Sequence, residues 1–183
     1  IERGQRGRAE IELETHGKLA HSSRPSYGVN AAGNMVSLLT MISVLFRPST
    51  DPFLGEGILE LTNLLSFPEK SAGTIPEKCR AIFDRRLLVG ETEKDVLEQI
   101  QEIIDFARKK NPDIQASLSI SSAEDRCYTG VPIKGKHFAP AWLFPRDHFF
   151  VTKALDGLGN SGLLPLLAEG SGFGTNGSYY GGV

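Results

Sequence analysis

Between Arg8 and Thr15 the chain alternates, with Ala9, Ile11 and Leu13 on one side and Glu10, Glu12 and Glu14 on the other. A period of two belongs to a strand with one wet face, so this stretch is predicted as a half-buried β-strand. The period then changes. Val29, Met35, Val36, Leu38, Leu39, Met41, Ile42 and Leu45 recur at helical spacing over residues 29–46, and Arg47-Pro48 supplies the stop. Ile58 to Leu65 and Lys78 to Leu88 read as two consecutive antiparallel strands, joined through turn formers between Phe67-Pro68 and Thr74-Ile75-Pro76. Gly90-Glu91-Thr92-Glu93 opens a second helix with acidic groups at its positive end. Its apolar stripe is Val96, Leu97, Ile100, Ile103, Ile104 and Ala107, and Arg108-Lys109-Lys110-Asn111-Pro112 closes it. Ile114, Ala116, Leu118 and Ile120 alternate with Gln115, Ser117 and Ser119, which predicts another half-buried strand.

The order strand, helix, strand, strand, helix, strand, joined by right-handed crossovers, builds a four-stranded antiparallel sheet with both helices on one face. The fold class is therefore α+β, βαββαβ or ferredoxin-like, over residues 7–121. Residues 122–183 read as an incomplete α/β segment: a Pro/aromatic stretch at 140–145, a helix from Asp147 to about Leu158, an apolar run from Leu163 to Ala168, and a Gly-rich loop from Gly170 to Tyr180. The first residue is Ile1 and the methionines are Met35 and Met41, so the chain is expected to be a fragment.

Composition narrows the function classes. Of 183 residues, 40% are hydrophobic and 23% charged, which is a globular profile. A formal net charge of -2 lacks the basic excess that a phosphate backbone demands, so nucleic acid is not an expected partner. The longest apolar stretch, Met35 to Phe46, is well short of the roughly 20 residues that cross a bilayer. Cys79 and Cys127 stand far apart in no ligand spacing and read as reduced thiols of a cytoplasmic compartment.

Chemistry concentrates in Gly17-Lys18-Leu19-Ala20-His21-Ser22-Ser23-Arg24-Pro25-Ser26-Tyr27-Gly28-Val29-Asn30-Ala31, between the first strand and the first helix. A loop held by a rigid scaffold is where functional side chains collect. His21 can donate to a carbonyl oxygen on which charge develops, or it can be an ordinary surface histidine. His16, His137 and His148 sit in no ligand spacing and read as structural.

Gly7 to Glu10, the run His21-Ser22-Ser23 with Pro25, Gly28, Asn30 and Ala31, then Asp84-Arg85-Arg86-Leu87 and Gly90-Glu91-Thr92 together resemble the lid or dimerisation domain of the dizinc aminoacylase and carboxypeptidase family. That family includes succinyl-diaminopimelate desuccinylase, acetylornithine deacetylase and glutamate carboxypeptidase, and the Asp-Arg-Arg-Leu and Gly-Thr-Asn-Gly-Ser runs look most like its selenium-metabolism-linked subgroup. The resemblance implies residues 1–6 as the end of a catalytic segment, 7–121 as the lid, and 122–183 as a partial return into the catalytic domain. It implies that His21 reaches the partner subunit's site and polarises the scissile carbonyl. Arg86 matches an arginine that binds a substrate carboxylate, although a strand-surface pair with Asp84 or Glu60 is the alternative. Asn30 is either a substrate contact or a helix cap. Gly174, Thr175 and Asn176 resemble a backbone-rich loop that cradles a substrate carboxylate. Thr74 stands where many relatives carry Asn, so no substrate contact is assigned to it.

The resemblance further implies two zinc ions in the full-length parent, a peptide or N-acyl amino acid substrate, and a homodimer through the first helix and the 58–65 edge strand. The family's metal ligands precede and follow the lid, so this chain alone is expected to hold no metal and to be inactive. The rival readings are a noncatalytic homodimerising module and a small-molecule-binding regulatory module.

Overall fold

The computed structural model describes residues 1–70, 73–168 and 174–180. Gly170 to Phe173, the first part of the Gly-rich loop, lie outside the described residues. The main elements are β1 (Gly7–His16), α1 (Ala31–Leu45), β2 (Ile58–Phe67), β3 (Lys78–Leu87), α2 (Glu93–Lys110), β4 (Gln115–Ile120), β5 (Ser122–Arg126), β6 (Pro132–Lys136), β7 (Phe138–Ala139) and α3 (Phe149–Asn160).

β3 lies between β1 and β2 and pairs antiparallel with both, in the register Gly7↔Leu87 through His16↔Lys78 on one side and Ile58↔Arg86 through Phe67↔Lys78 on the other. The far edge of β1 is shared: β4 takes Ile11 to His16, and β7 takes Arg8 and Ala9. The result is a mixed α/β molecule around an antiparallel sheet of five strands. The fifth is β7, a two-residue strand too short to leave a period in the sequence. Glu10 marks the branch, since its carbonyl accepts from the Ser121 N–H and its N–H donates to the His137 carbonyl. Between those two residues β5 and β6 form an exposed hairpin, read at the sequence level only as part of a return segment.

Alternation decides which face is covered. Ala9, Ile11 and Leu13 of β1 and Cys79, Ala81, Phe83 and Leu87 of β3 all point the same way. Ala31, Met35, Leu38 and Ile42 of α1 and Val96, Ile100, Ile103, Ile104 and Ala107 of α2 close over them. Each fully buried Leu or Ile contributes about 1.5–3 kcal/mol of transfer free energy, so this one layer holds the domain together. Asn30 caps α1 by accepting the Gly33 N–H at 3.0 Å. Thr92 and Asp95 form a capping box on α2, with the Asp95 N–H donating to the threonine hydroxyl and the Thr92 N–H to the carboxylate.

Two irregularities shape the edge. A bulge between Leu61 and Asn63 of β2 leaves Thr62 out of the register with β3, its hydroxyl donating to the Ile82 carbonyl at 3.1 Å. The residue parity therefore switches: Leu59 and Leu61 face the helices before the bulge, opposite Arg85 and Phe83, and Leu64 faces them after it, opposite Ala81. Arg85 also falls on the inward side of β3 and is fully buried. Glu91 pairs with it at 2.5 Å, the Ile58 and Arg86 carbonyls accept from it, and its guanidinium lies 5.4 Å from the Phe46 ring centroid. Burial pulls its pKa below the ordinary arginine value, and Glu91 opposes that pull. A Cβ on Gly57 would stand 2.6 Å from the Arg85 Nη1, which accounts for glycine there.

Candidate functional site

β1 ends at His16, and the chain then folds back on the turn that precedes β3. The Gly17 N–H donates to the Glu77 carbonyl, Lys18 bridges to Val29, and the Ala31 N–H donates to the Pro76 carbonyl. Ala20 and His21 pair antiparallel with Ile75 and Thr74, and the Ser22 N–H donates to the Gly73 carbonyl at 2.8 Å. Gly28 sits so close to Ala20 that a Cβ would come within 2.7 Å of the alanine methyl. An exposed loop is thus fastened along its length by backbone hydrogen bonds, and it positions His21 at one end of the sheet.

The His21 ring is exposed and held from one side. Its Nδ1 lies 2.8 Å from the Ser23 hydroxyl and accepts the Ser23 backbone N–H at 3.2 Å. Nε2 faces Gly73, where a Cβ would lie 3.9 Å from it. An acceptor has room to approach Nε2, and a ring so held can donate to a carbonyl oxygen there.

The other sequence-derived residues lie elsewhere. Asn30 is the α1 cap, its carbonyl oxygen committed to the Gly33 N–H. Arg86 projects from the uncovered face of β3, with Nε 2.8 Å from Asp84. The same carboxylate takes the Arg8 Nε at 2.6 Å, and that hydrogen bond, with the charge behind it, raises the Arg8 pKa. Arg86 is eight residues along β3 from Lys78, so about 25 Å of strand separates it from the His21 end. Thr175 sits at the Arg86 end. Its hydroxyl donates to the Gln5 side-chain carbonyl at 2.7 Å, and the Gln5 amide donates to the Thr175 carbonyl and the Ser178 hydroxyl. Gln5 is buried two residues before Gly7, which pairs with Leu87, so Arg86 and the Gly174-Thr175-Asn176 segment share one end of the sheet and His21 holds the other.

The remaining histidines all have structural partners. His16 lies 3.3 Å from the Ser117 hydroxyl, His137 lies 3.0 Å from Glu10, and His148 caps α3. Among the described residues no three His, Cys, Asp or Glu side chains gather in a way that could hold a metal ion. No described helix is long and apolar enough to cross a membrane. Both cysteines are free thiols. Ser23 is a partner of His21 that the sequence signals only through the two hydroxyl residues directly after a loop histidine.

Comparison with known proteins places this geometry. Residues 3–112 match the family described as the peptidase dimerisation domain. The Escherichia coli K12 protein YgeY is 33% identical over 156 residues, which are 85% of this chain and 37% of that protein. The chain therefore spans well under half the length of the curated relative it matches. Among solved structures, aminopeptidase PepT of Bacillus cereus superposes with a TM-score of 0.71 at 15% identity, covering 100% of this chain and 42% of that one. A tripeptidase of Staphylococcus aureus gives a TM-score of 0.65 at 16% identity, covering 98% and 41%. A hydantoinase/carbamoylase family amidase of Burkholderia ambifaria gives 0.63 at 12% identity, covering 98% and 39%. At these identities the structures speak for the fold, while the family match covers more than half of the chain: it belongs to the peptidase dimerisation domain family.

Proposed function

We propose that this chain is the dimerisation and lid portion of a zinc-dependent peptidase or N-acyl amino acid amidohydrolase, and that His21 polarises the scissile carbonyl in the partner subunit's site. The observation that carries the reading is the His21 ring, exposed on a fastened loop, held through Nδ1 and open at Nε2. The sheet order β2, β3, β1, β4 with both helices on one face supports the ferredoxin-like arrangement, with 1–6, 7–121 and 122–183 as the end of a catalytic segment, the lid and the return. In this reading two zinc ions are held by other parts of the parent, and this chain alone is expected to be inactive.

The chain's own residues would act as follows. His21 donates from Nε2 to the carbonyl oxygen as negative charge builds on it, a contribution of about 3 kcal/mol when such a donor is aligned. Arg86 and the backbone around Gly174, Thr175 and Asn176 form a second group, at the far end of the sheet, for a substrate carboxylate. For Arg86 this means exchanging Asp84 for substrate. Asn30 acts on substrate only through the helix it caps.

The homodimer uses α1 and the edge strand β2. Leu39, Ile42, Phe46, Leu59 and Leu61 line a groove of about 290 Å³ between them, and Val36, Val44, Leu45 and Leu64 are exposed beside it. The free cysteines fit a cytoplasmic protein. In the full-length parent, His21→Ala should lower kcat by about 10²–10³-fold with folding intact, measured on N-acyl amino acids and short peptides. Unchanged turnover would leave the noncatalytic homodimerising module as the better reading.

A further inference from the structure

Histidine can place its neutral-state proton on either ring nitrogen, and the hydrogen bond made by one nitrogen selects the proton's place on the other. A backbone N–H is a donor without acceptor capacity. The Ser23 N–H points at the His21 Nδ1 at 3.2 Å, and a proton on that nitrogen would set two donors against each other. The Ser23 hydroxyl, 2.8 Å from the same atom, supplies a second donor on the same side. Ser23 is itself anchored, because its neighbours Ser22 and Arg24 donate their N–H groups to the carbonyls of Gly73 and His21.

We infer that Ser23 is a positioning residue, whose backbone N–H and hydroxyl together keep the His21 proton on Nε2 and fix the ring so that this proton faces outward beside Gly73. The inference goes one step below the proposed role of His21, on which its functional meaning rests. It explains why the loop carries a hydroxyl residue two positions after the histidine. A ring with its proton on Nδ1 would offer a lone pair at Nε2 and would repel a carbonyl oxygen.

Nitrogen-15 NMR of the imidazole, on the full 183-residue chain at pH 9, reads the proton's place directly, well above the ordinary imidazole range. The wild-type chain should show His21 almost entirely protonated on Nε2. Ser23→Ala should raise the ratio of the Nδ1-protonated to the Nε2-protonated form about fivefold, the change one net hydrogen bond makes in an equilibrium. Ser23→Thr, which keeps the hydroxyl, should restore the wild-type ratio. The backbone amide spectrum of each variant, unchanged outside residues 17–30, separates this from misfolding. A wild-type ring protonated on Nδ1, or a ratio that stays put or moves the other way in Ser23→Ala, overturns the inference. In the parent, unchanged kcat in His21→Ala would sink the role given to His21, while a shifted ratio in Ser23→Ala would still uphold the positioning by Ser23, so the two failures are distinct.

Discussion

The two helices cover the same sheet face, yet they are made of opposite material. α2 carries nine charged side chains in eighteen residues and turns them to water, with Lys94–Glu98 and Arg108–Asp105 pairs along the exposed side. α1 carries no charged side chain in fifteen residues, and its outer side shows Val36 and Val44 at 59% and 57% exposure. Both inner faces are equally buried. A helix finished for solvent beside one that is uncharged all round, with exposed valines among its serines and threonine, makes the α1 side the one on which the proposed homodimer would form. The edge strand β2 lies along α1, and its Leu64 is 46% exposed on the same side.

The largest effects should show the helices as equals. Leu38→Ala in α1 and Ile100→Ala in α2 each remove a fully buried side chain and should each cost about 2–5 kcal/mol in urea unfolding. A loss below about 1 kcal/mol for either would mean that its helix is not part of the common core. The outer faces should then part company. Val36→Glu with Leu64→Lys should weaken the proposed homodimer at least tenfold (roughly 1.4 kcal/mol) in sedimentation equilibrium, while Glu102→Lys on α2 leaves it unchanged. A wild-type chain that stays monomeric at every concentration would remove the partner from the picture.

The smallest effects lie at the caps. Asn30→Ala should cost α1 about 1 kcal/mol, at any pH where the protein is folded, because the cap is a neutral amide. The α2 cap is different. Hydrogen bonds from the Thr92 hydroxyl and N–H hold the Asp95 carboxyl below the usual aspartate range. Its folded pKa is depressed, so the stabilisation is present above the ordinary value near pH 3.9 and is lost as pH falls through the depressed one. First-turn amides of α2 should exchange faster in that acid window, and those of α1 should not. Thr92→Ala, which removes the hydroxyl and keeps the backbone N–H, should weaken the acid response.

Much of this was legible in the sequence, for a physical reason. A half-buried strand must alternate, so β1, β4 and the stripe of α2 announce themselves through Ile11, Ile120 and Ile104 and their neighbours. The hairpin of β5 and β6 is exposed along both strands, with surface pairs such as Lys134–Glu124 and no buried face, so nothing in it had to alternate. Arg85 was legible in principle, because the inward parity of Cys79, Ala81, Phe83 and Leu87 passes through it. A charged run, Asp84-Arg85-Arg86, hid that parity. At the site, residue types pointed to His21 and to the α1 cap, but only coordinates could place Arg86 and Thr175 at the opposite end of the sheet from His21.

Thr62 gives the edge strand one residue more than its partner uses, and that surplus works as a phase setting. Its deletion would seat Asn63 directly after Leu61 in a regular ladder, opposite Ile82, with every side chain from Asn63 to Phe67 on the face it has now. Leu64 would stay opposite Ala81, and Phe67 would keep the cations of Lys78 and Arg80 that flank its ring. The face this strand shows beside α1 therefore survives the loss of one residue: the surplus moves the inward positions from odd to even numbers without changing which leucines hold them.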